Sequence, residues 1–390
     1  YDMFGKGQTV LRGGYGIFWN NPLTGTSSSK AINPPFLIVQ SGTTNFAPTF
    51  ILSNGLPPPP APDPNRQLTG ATTRSIFDPN FQDGYAQQWN LNIQQQIKKD
   101  YVLEVAYVGS KGTHLVIKRD INQAPPVVGV TDLNQNRPFP GLLSLSQGES
   151  AGSSIHHALQ TKFSRRFGNG LQFVNSYTFG KTIDTVSDTE NTVQNAYNIA
   201  RDRGVADFDV KHTLTSSWTY DLPFGKGRPF ANNLGSVANK FIGGWQVSGI
   251  LLIRSGLPFT VNQQQNVQST GTSNRPNLIG SPVLDNPTID EWFDISAFQP
   301  TSDSSGTYGN AGRNILRAPG QTNLDISLVK VTRFHERFEH QFKVEFFNAL
   351  NHPQFAAPGN TIGSASAGVI SSLLFNSPMR QIQVAMKLSF

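Results

Sequence analysis

Cysteine is absent from all 390 residues, which excludes a disulfide framework and any thiolate-based metal or catalytic site. Long hydrophobic runs are also missing. The longest uninterrupted aliphatic stretch is Ile250 to Ile253, far short of the roughly eighteen residues that a membrane helix needs. If the chain lies in a membrane, it must do so as sheet closed on itself or against other strands, the remaining way to satisfy every backbone N–H and C=O in hydrocarbon. Charge is scarce, at 14% of residues. Lys and Arg exceed Asp and Glu by 31 to 25, and the isoelectric point is near 9.4. The cations are nevertheless scattered, without a basic block or a nucleic-acid module, so nucleic acid is not an expected partner; a basic lumen and rim accounts for the excess. The chain opens at Tyr1 with neither an initiator Met nor a signal peptide. An exported protein is made with one, so the expectation is a fragment that lacks its front.

What is present favours sheet. Gly numbers 36, Pro 26 and Phe 27, a balance poor in helix formers and rich in turn and strand formers, and the fold class it points to is all-β. The C-terminal stretch shows the pattern most plainly. Ile382, Val384, Met386, Leu388 and Phe390 alternate with Gln381, Gln383, Lys387 and Ser389, the period of two that marks a strand. Ending on an aromatic ring beside the carboxylate has no evident gain in water. At a bilayer surface the ring can sit among headgroups while the carboxylate stays wet, and about ten residues of tilted strand cross the hydrocarbon.

The same alternation recurs along the chain. Residues 9–19 put Leu11, Tyr15, Ile17 and Trp19 on one face; after a Pro- and Asn-rich loop at 20–83, including the proline run 57–60, Tyr85, Trp89, Leu91, Ile93 and Ile97 follow on the next strand. A turn at 98–100 returns through Leu103, Val105 and Tyr107. Beyond a loop at 110–154, Leu159, Thr161 and Phe163 turn at 167–170 into Leu171, Phe173, Tyr177 and Phe179. A loop at 184–211 precedes Leu214, Trp218, Tyr220 and Leu222, and the strand 245–254 returns after a segment in which SVANKF is expected to form a short helical turn. A loop at 255–321 leads to Leu324, Ile326 and Leu328, a turn near His335, and Phe338, Phe342, Val344 and Phe346; the loop 349–379 then reaches the terminal strand.

Two regularities turn these strands into an architecture. Connections alternate between short and long, as in outer-membrane barrels with short periplasmic turns and longer extracellular loops. Apolar-face aromatics gather at both strand ends: Trp19, Tyr85, Tyr107, Phe179 and Phe346 near the long-loop end, Phe390, Phe338, Tyr220 and Trp245 near the other. A soluble sandwich shares the alternation but has no reason for two girdles. The expected fold is therefore a transmembrane antiparallel β-barrel portion of about ten strands. Asn175 and Lys330 interrupt the apolar face, and Val329 and Val331 oppose it, which calls for a bulge or a shifted register there.

Candidate sites are few. His156 and His157 are adjacent, and neighbours on a strand point to opposite faces, so a shared metal is disfavoured and rim histidines are the better reading. Asp202, Asp207 and Asp209 near Arg203 form the densest acidic cluster, which could hold a hard cation through oxygen ligands. Asp209 with His212 is the one close Asp–His pair, and no GxSxG nucleophile accompanies it, so no catalytic residue is assigned. The glycines between Gly13 and Gly16 do not open a helix and are no phosphate cradle; they suit a close approach to something bulky in the lumen. No cofactor is implied.

Six segments resemble the TonB-dependent outer-membrane receptors, in particular Oar-like members with an N-terminal carboxypeptidase-regulatory-like domain and a plug: VLRGGYGIFW from Val10, QQWNLNIQQQI from Gln87, VAYVGSKGTHL from Val105, RDRGVADFDVKH ending at His212, EFFNALNHPQF from Glu345, and RQIQVAMKLSF at the end. The resemblance implies that residues 1–390 are the C-terminal part of a barrel of about twenty-two strands, without plug, TonB-contacting box or regulatory-like domain. It implies a structural loop latch at Asp202, Arg203, Asp207 and Asp209. The implied partners are outer-membrane lipid, the plug of the same chain, the TonB complex through that missing part, and the barrel-assembly machinery, which would read Met386, Leu388 and Phe390. The expected function is barrel wall and ligand-capturing loops in active uptake of a solute. A surface adhesin is the alternative, an outer-membrane hydrolase the weaker one. Siderophores, cobalamin, glycans and peptides all remain open as the solute.

Deleting Phe390 from the full-length protein is expected to slow assembly while leaving synthesis and export unchanged, measured by pulse-chase of heat-resistant barrel. Normal kinetics with a barrel weakened by about 1.5 to 3 kcal/mol, the worth of one buried ring, would leave the ring only a packing role.

Overall fold

The computed structural model describes residues 1–20, 53, 55, 74–128, 136–140, 142, 144–168, 170–188, 193–264, 274–301, 306–334, 338–375, 377 and 379–390. The proline run 57–60 and the turn at His335 lie outside the described residues. Ten long strands form one sheet: β1 (Thr9–Asn20), β2 (Gly84–Lys98), β3 (Tyr101–Asp120), β4 (Leu145–Gly168), β5 (Leu171–Asp184), β6 (His212–Asp221), β7 (Trp245–Arg254), β8 (Gln321–Phe334), β9 (Phe338–Phe347) and β10 (Gln381–Ser389). Spatial order is sequence order, with β1 and β10 at the two ends, and every neighbouring pair along it is antiparallel. Connections at one end are short. Those at the other run through 21–83, 121–144, 185–211, 255–320 and 348–380.

Two expected loops are partly strand. The segment 110–154 continues the β3–β4 ladder to Asp120 and from Leu145, with irregularities between Gly112 and Ile117. Within 20–83, Arg74–Phe77 adds a short parallel strand beside β4. Ladder hydrogen bonds need no apolar alternation once a hairpin leaves the hydrocarbon, so nothing in the pattern marks this extension. The expected helical turn is a helix, α1 (Ser236–Ile242). Among the described residues no helix is long and apolar enough to cross a membrane.

The register gives most strands one apolar and one polar face, β7 being an exception with Ile250 and Leu252 on its inner side. Across the sheet, Leu11, Ile93, Val105 and Thr161 share a face, as do Leu91, Tyr107, Leu159 and Phe179. Val247, Leu328, Val344 and Val384 continue it. That apolar face is the exposed one: Leu91 is 50%, Met386 71% and Phe390 94% exposed. The opposite face carries the Glu104–Lys162 and Lys343–Glu345 ion pairs at 3.4 and 2.7 Å. Oil outside and charge within is the inverse of a soluble sheet, and it matches a wall between lipid and a wet lumen. Where Trp89 lies against Gly109 and Trp218 against Gly249, a Cβ on either glycine would sit within 2.3 Å of the indole. Glycine there lets a large ring lie flat along the lipid face.

Several polar groups on the apolar face are paired, mostly with one another. Gln87 donates to Tyr15 Oη at 2.8 Å and Thr9 Oγ1 to Gln95 at 2.6 Å. Tyr107 Oη meets His157 Nδ1 at 2.7 Å, and Tyr177 Oη meets His212 Nδ1 at 2.8 Å. Asn175 bonds Ser216 directly opposite. Lys330 Nζ donates to Gly243 O and to Val331 O. The β8 register through 329–331 is unbroken, so no bulge is present: Val329 and Val331 face the lumen, and Lys330 stays on the lipid side because backbone carbonyls receive it. The glycines of β1 also have a local reason. A Cβ at Gly16 would lie 3.0 Å from the Phe18 ring and one at Gly14 3.3 Å from the Asn90 amide, so the bulky neighbours belong to β1 and β2 themselves.

Leu251 and Leu252 make a matched test of this register, since Leu251 lies opposite Leu324 on the lipid face and Leu252 between Thr215 and Asn323 on the lumen face. Leu251→Arg is expected to lower folding stability in lipid vesicles by about 2 kcal/mol, and Leu252→Arg to change it little. Equal losses in urea titrations would show the faces to be misassigned.

Candidate functional site

The long connections fold into a cap with its own core. Phe259, Val261, Phe293, Ala297, Phe298, Ala311, Leu316 and Ile362 are buried together, flanked by Leu278, Trp292 and Ala318. They come from the β7–β8 and β9–β10 connections, which are stitched by a parallel pair, Asn262–Gln263 with Thr361–Ile362, and by Asn360 Nδ2 donating to Thr260 O at 2.8 Å. Asn348 and Asn351 adopt left-handed backbone, φ 49° and 51°, which Asn tolerates. Asn348 exchanges hydrogen bonds with His352, and Gln354 bonds Thr322 at the start of β8. The NALNHPQF stretch therefore ties the cap to the strand ends.

Ion pairs fasten the β5–β6 connection beneath it. Arg275 binds Asp202, with both side chains only 4% exposed, and Gln194 N donates to the other Asp202 oxygen at 2.7 Å. Arg313 binds Asp184, reaches Asp207 at 3.0 Å and donates to the backbone oxygen of Asp202 at 2.8 Å. Arg317 binds Asp209, whose second oxygen accepts from Thr182 N at 2.6 Å. The rigid guanidinium fork suits this work, because one arginine can answer several fixed oxygens in a buried place. Each of the three acidic residues singled out in the sequence is thus occupied by an arginine from the β7–β8 connection. Arg203 differs: it donates to Ser153 Oγ at 3.3 Å and joins none of these carboxylates. Its guanidinium is outcompeted by three cations that sequence proximity does not indicate.

The other candidates separate. His156 faces the lumen and bonds Thr182 Oγ1 at 2.8 Å, while His157 bonds Tyr107 on the lipid face. Asp209 is held by Thr182 and Arg317, and His212 by Tyr177, so the pair makes no dyad. Among the described residues no three His, Asp or Glu side chains converge as a metal site. Met386, Leu388 and Phe390 stand exposed on the apolar face of β10. Away from the membrane, burial and the nearby Asp120 push the Tyr197 phenol up, and burial, Tyr197 and Asp120 push Tyr308 up, so both phenols stay neutral in the cap, where Tyr197 Oη donates to Gln123 O.

Two hollows lie on the inner side. A groove of about 540 Å³ is lined by Ser217, Gln246, Asp325, Ser327, Lys343 and Glu345 among others. A cleft of about 360 Å³ sits beneath the clasp at Ser110, Ser154, His156, Thr182 and Asp209. The groove carries charges of both signs and the cleft a single carboxylate among neutral polar groups, with His156 bonded to Thr182 and Asp209 to Arg317.

An antiparallel sheet with an oily exterior, a polar interior, short turns at one end and a folded cap at the other is the wall of a transmembrane β-barrel. The chain belongs to the outer membrane beta barrel domain family, whose model matches residues 1–383, and it resides in the outer membrane. Among curated proteins none matches the sequence. In fold it is similar to the outer membrane transporter YddB from Escherichia coli, with 9% identity and a TM-score of 0.54 over 100% of this chain and 39% of YddB. It also aligns with the ferric-catecholate import receptor Fiu from E. coli K12, with 11% identity and a TM-score of 0.42 over 98% of this chain and 33% of Fiu. The chain thus spans about two fifths of the length of YddB.

Arg313→Ala leaves Asp184 buried without its cation, which costs about 3 to 5 kcal/mol when one partner of a buried pair is removed. The expected result is faster amide hydrogen exchange across 306–320 and 199–209 with the wall strands unchanged. Unaltered exchange in the cap would show that the clasp does not hold it.

Proposed function

We propose that residues 1–390 form the C-terminal part of the wall and mouth of a TonB-dependent transporter, in which the long outer connections capture a solute and the plug of the same chain, driven through the TonB complex, releases it inward. The carrying observation is the folded cap, clasped by buried Asp–Arg pairs at the outer end of a polar-lined wall. A pure adhesin has no use for a wet, charged lumen beneath its binding loops, whereas a transporter needs one. The six receptor-like segments, the Oar-like likeness among them, and the fold shared with the outer membrane transporter YddB support the same reading. The solute belongs to the classes that such receptors take, siderophore, cobalamin, glycan or peptide. No catalytic step is assigned, since Asp209 and His212 serve separate structural bonds. The barrel-assembly machinery is the partner proposed for β10.

Deleting the gene and measuring accumulation of labelled members of these four classes, with and without a protonophore, tests the reading. Loss of one energy-dependent uptake is expected. Unchanged uptake of all four with lost surface attachment would favour the adhesin, and unchanged uptake with a lost hydrolytic activity would favour an enzyme.

A further inference from the structure

Residues 222–244, joining β6 to β7, are the longest connection at the short-turn, periplasmic end. They contain Lys226, Arg228 and Lys240 and no Asp or Glu. Their apolar side chains point outward: Phe230 is 59%, Val237 70% and Phe241 73% exposed. A loop immersed in water gains nothing from such exposure.

This connection is well tied. Asn239 Oδ1 accepts from Lys226 N at 2.7 Å, Phe230 N donates to Pro223 O at 3.0 Å, and the Phe224 and Phe230 rings are 6.0 Å apart. Three contacts fix where it lies. Trp245 Nε1 donates to Phe241 O at 2.8 Å, Lys330 Nζ donates to Gly243 O, and Lys240 Nζ stands 5.0 Å from the centre of the Phe334 ring. Trp245, Lys330 and Phe334 all belong to the lipid face at the inner rim. The C-terminal end of α1 is therefore folded over the outside of the wall and continues its oily band. Gly244 makes the bend possible, with φ 72° and no room for a Cβ, which would fall 2.4 Å from Val331 O. Arg228 is drawn back to Asp221 at 3.2 Å, whereas Lys226 and Lys240 have no acidic partner among the described residues.

We propose that residues 222–244 are an interfacial anchor: Phe230, Val237 and Phe241 lie among the headgroups of the inner leaflet, and Lys226 and Lys240 bind the phosphates of anionic phospholipid. An apolar face with lysines beside it is the arrangement that holds a segment in the plane of an anionic surface. The proposal rests on the outer-membrane wall and is independent of transport.

These 390 residues contain no cysteine, so single labels test it in full-length protein from which any cysteine elsewhere has been removed. Full-length Phe241→Cys, Val237→Cys and Lys99→Cys, the last in the β2–β3 turn at the same end, each carry bimane in vesicles of phosphatidylethanolamine with or without phosphatidylglycerol. Labels at 237 and 241 are expected to be quenched several-fold more strongly by headgroup spin-labelled lipid than the label at 99, and shielded from iodide. The difference is expected to shrink without phosphatidylglycerol and in K226Q/K240Q. Iodide access equal to that at 99 overturns the anchor, as does shielding from both quenchers, which would mean protein covers the loop. Lipid quenching unchanged by lipid charge or by K226Q/K240Q overturns the phosphate assignment.

Discussion

Everything in this wall follows from the absence of a competing hydrogen-bond partner in hydrocarbon. Each backbone group must be answered by a neighbouring strand, and an unanswered polar group costs several kcal/mol. The ten-stranded ladder meets the first demand everywhere but along the outward edges of β1 and β10. The second is met at several places: Gln87 with Tyr15, Asn175 with Ser216 and the two Tyr–His pairs are polar side chains on the lipid face that close on each other. Lys330 is the sharpest case. Its ammonium would be intolerable bare on an oily surface, and it is received by Val331 O of β8 and by Gly243 O at the C-terminal end of α1, where a cation also suits the helix dipole.

Outside the membrane water competes for every group, and the architecture changes accordingly. The cap returns to ordinary protein logic, with Phe293 and Val261 fully buried and contributing by the area they remove from water. Its charged pairs do a different job from its core. A buried pair is weak evidence of net stability, because desolvation offsets most of the attraction; what Asp202–Arg275 and Asp184–Arg313 do contribute is geometry, since each arginine also reaches fixed backbone oxygens, of Arg201 for Arg275 and of Asp184 and Asp202 for Arg313.

The wall was legible in the sequence because lipid imposes a period of two, and Leu91, Val344 and Met386 each take the face that the alternation assigns. Asn175 and Lys330 looked like register errors because one strand's pattern does not show what stands opposite. The extension of β3 and β4 left no trace, as pairing above the rim obeys no apolar rhythm. In the latch, the acids were visible as a local cluster. Their partners were not: Arg275 lies 73 positions from Asp202, and Arg317 lies 108 from Asp209. No spacing rule links residues so distant, and Arg203, the cation that proximity suggests, is turned elsewhere.

The two regimes meet at the strand ends, and there the clasp has mechanical consequences. Asp184 is the last residue of β5, Ile183 and Asp184 also pair with Gly204–Val205, and Asp209 lies just before β6. Thr322, held by Gln354, opens β8. The arginines therefore join the cap to the wall as well as to itself, so the cap cannot shift as an independent lid. Opening this end wholesale would separate Asp–Arg pairs whose charges are then stranded, at about 3 to 5 kcal/mol for each partner removed. That cost favours small rearrangements within the cap over its wholesale opening.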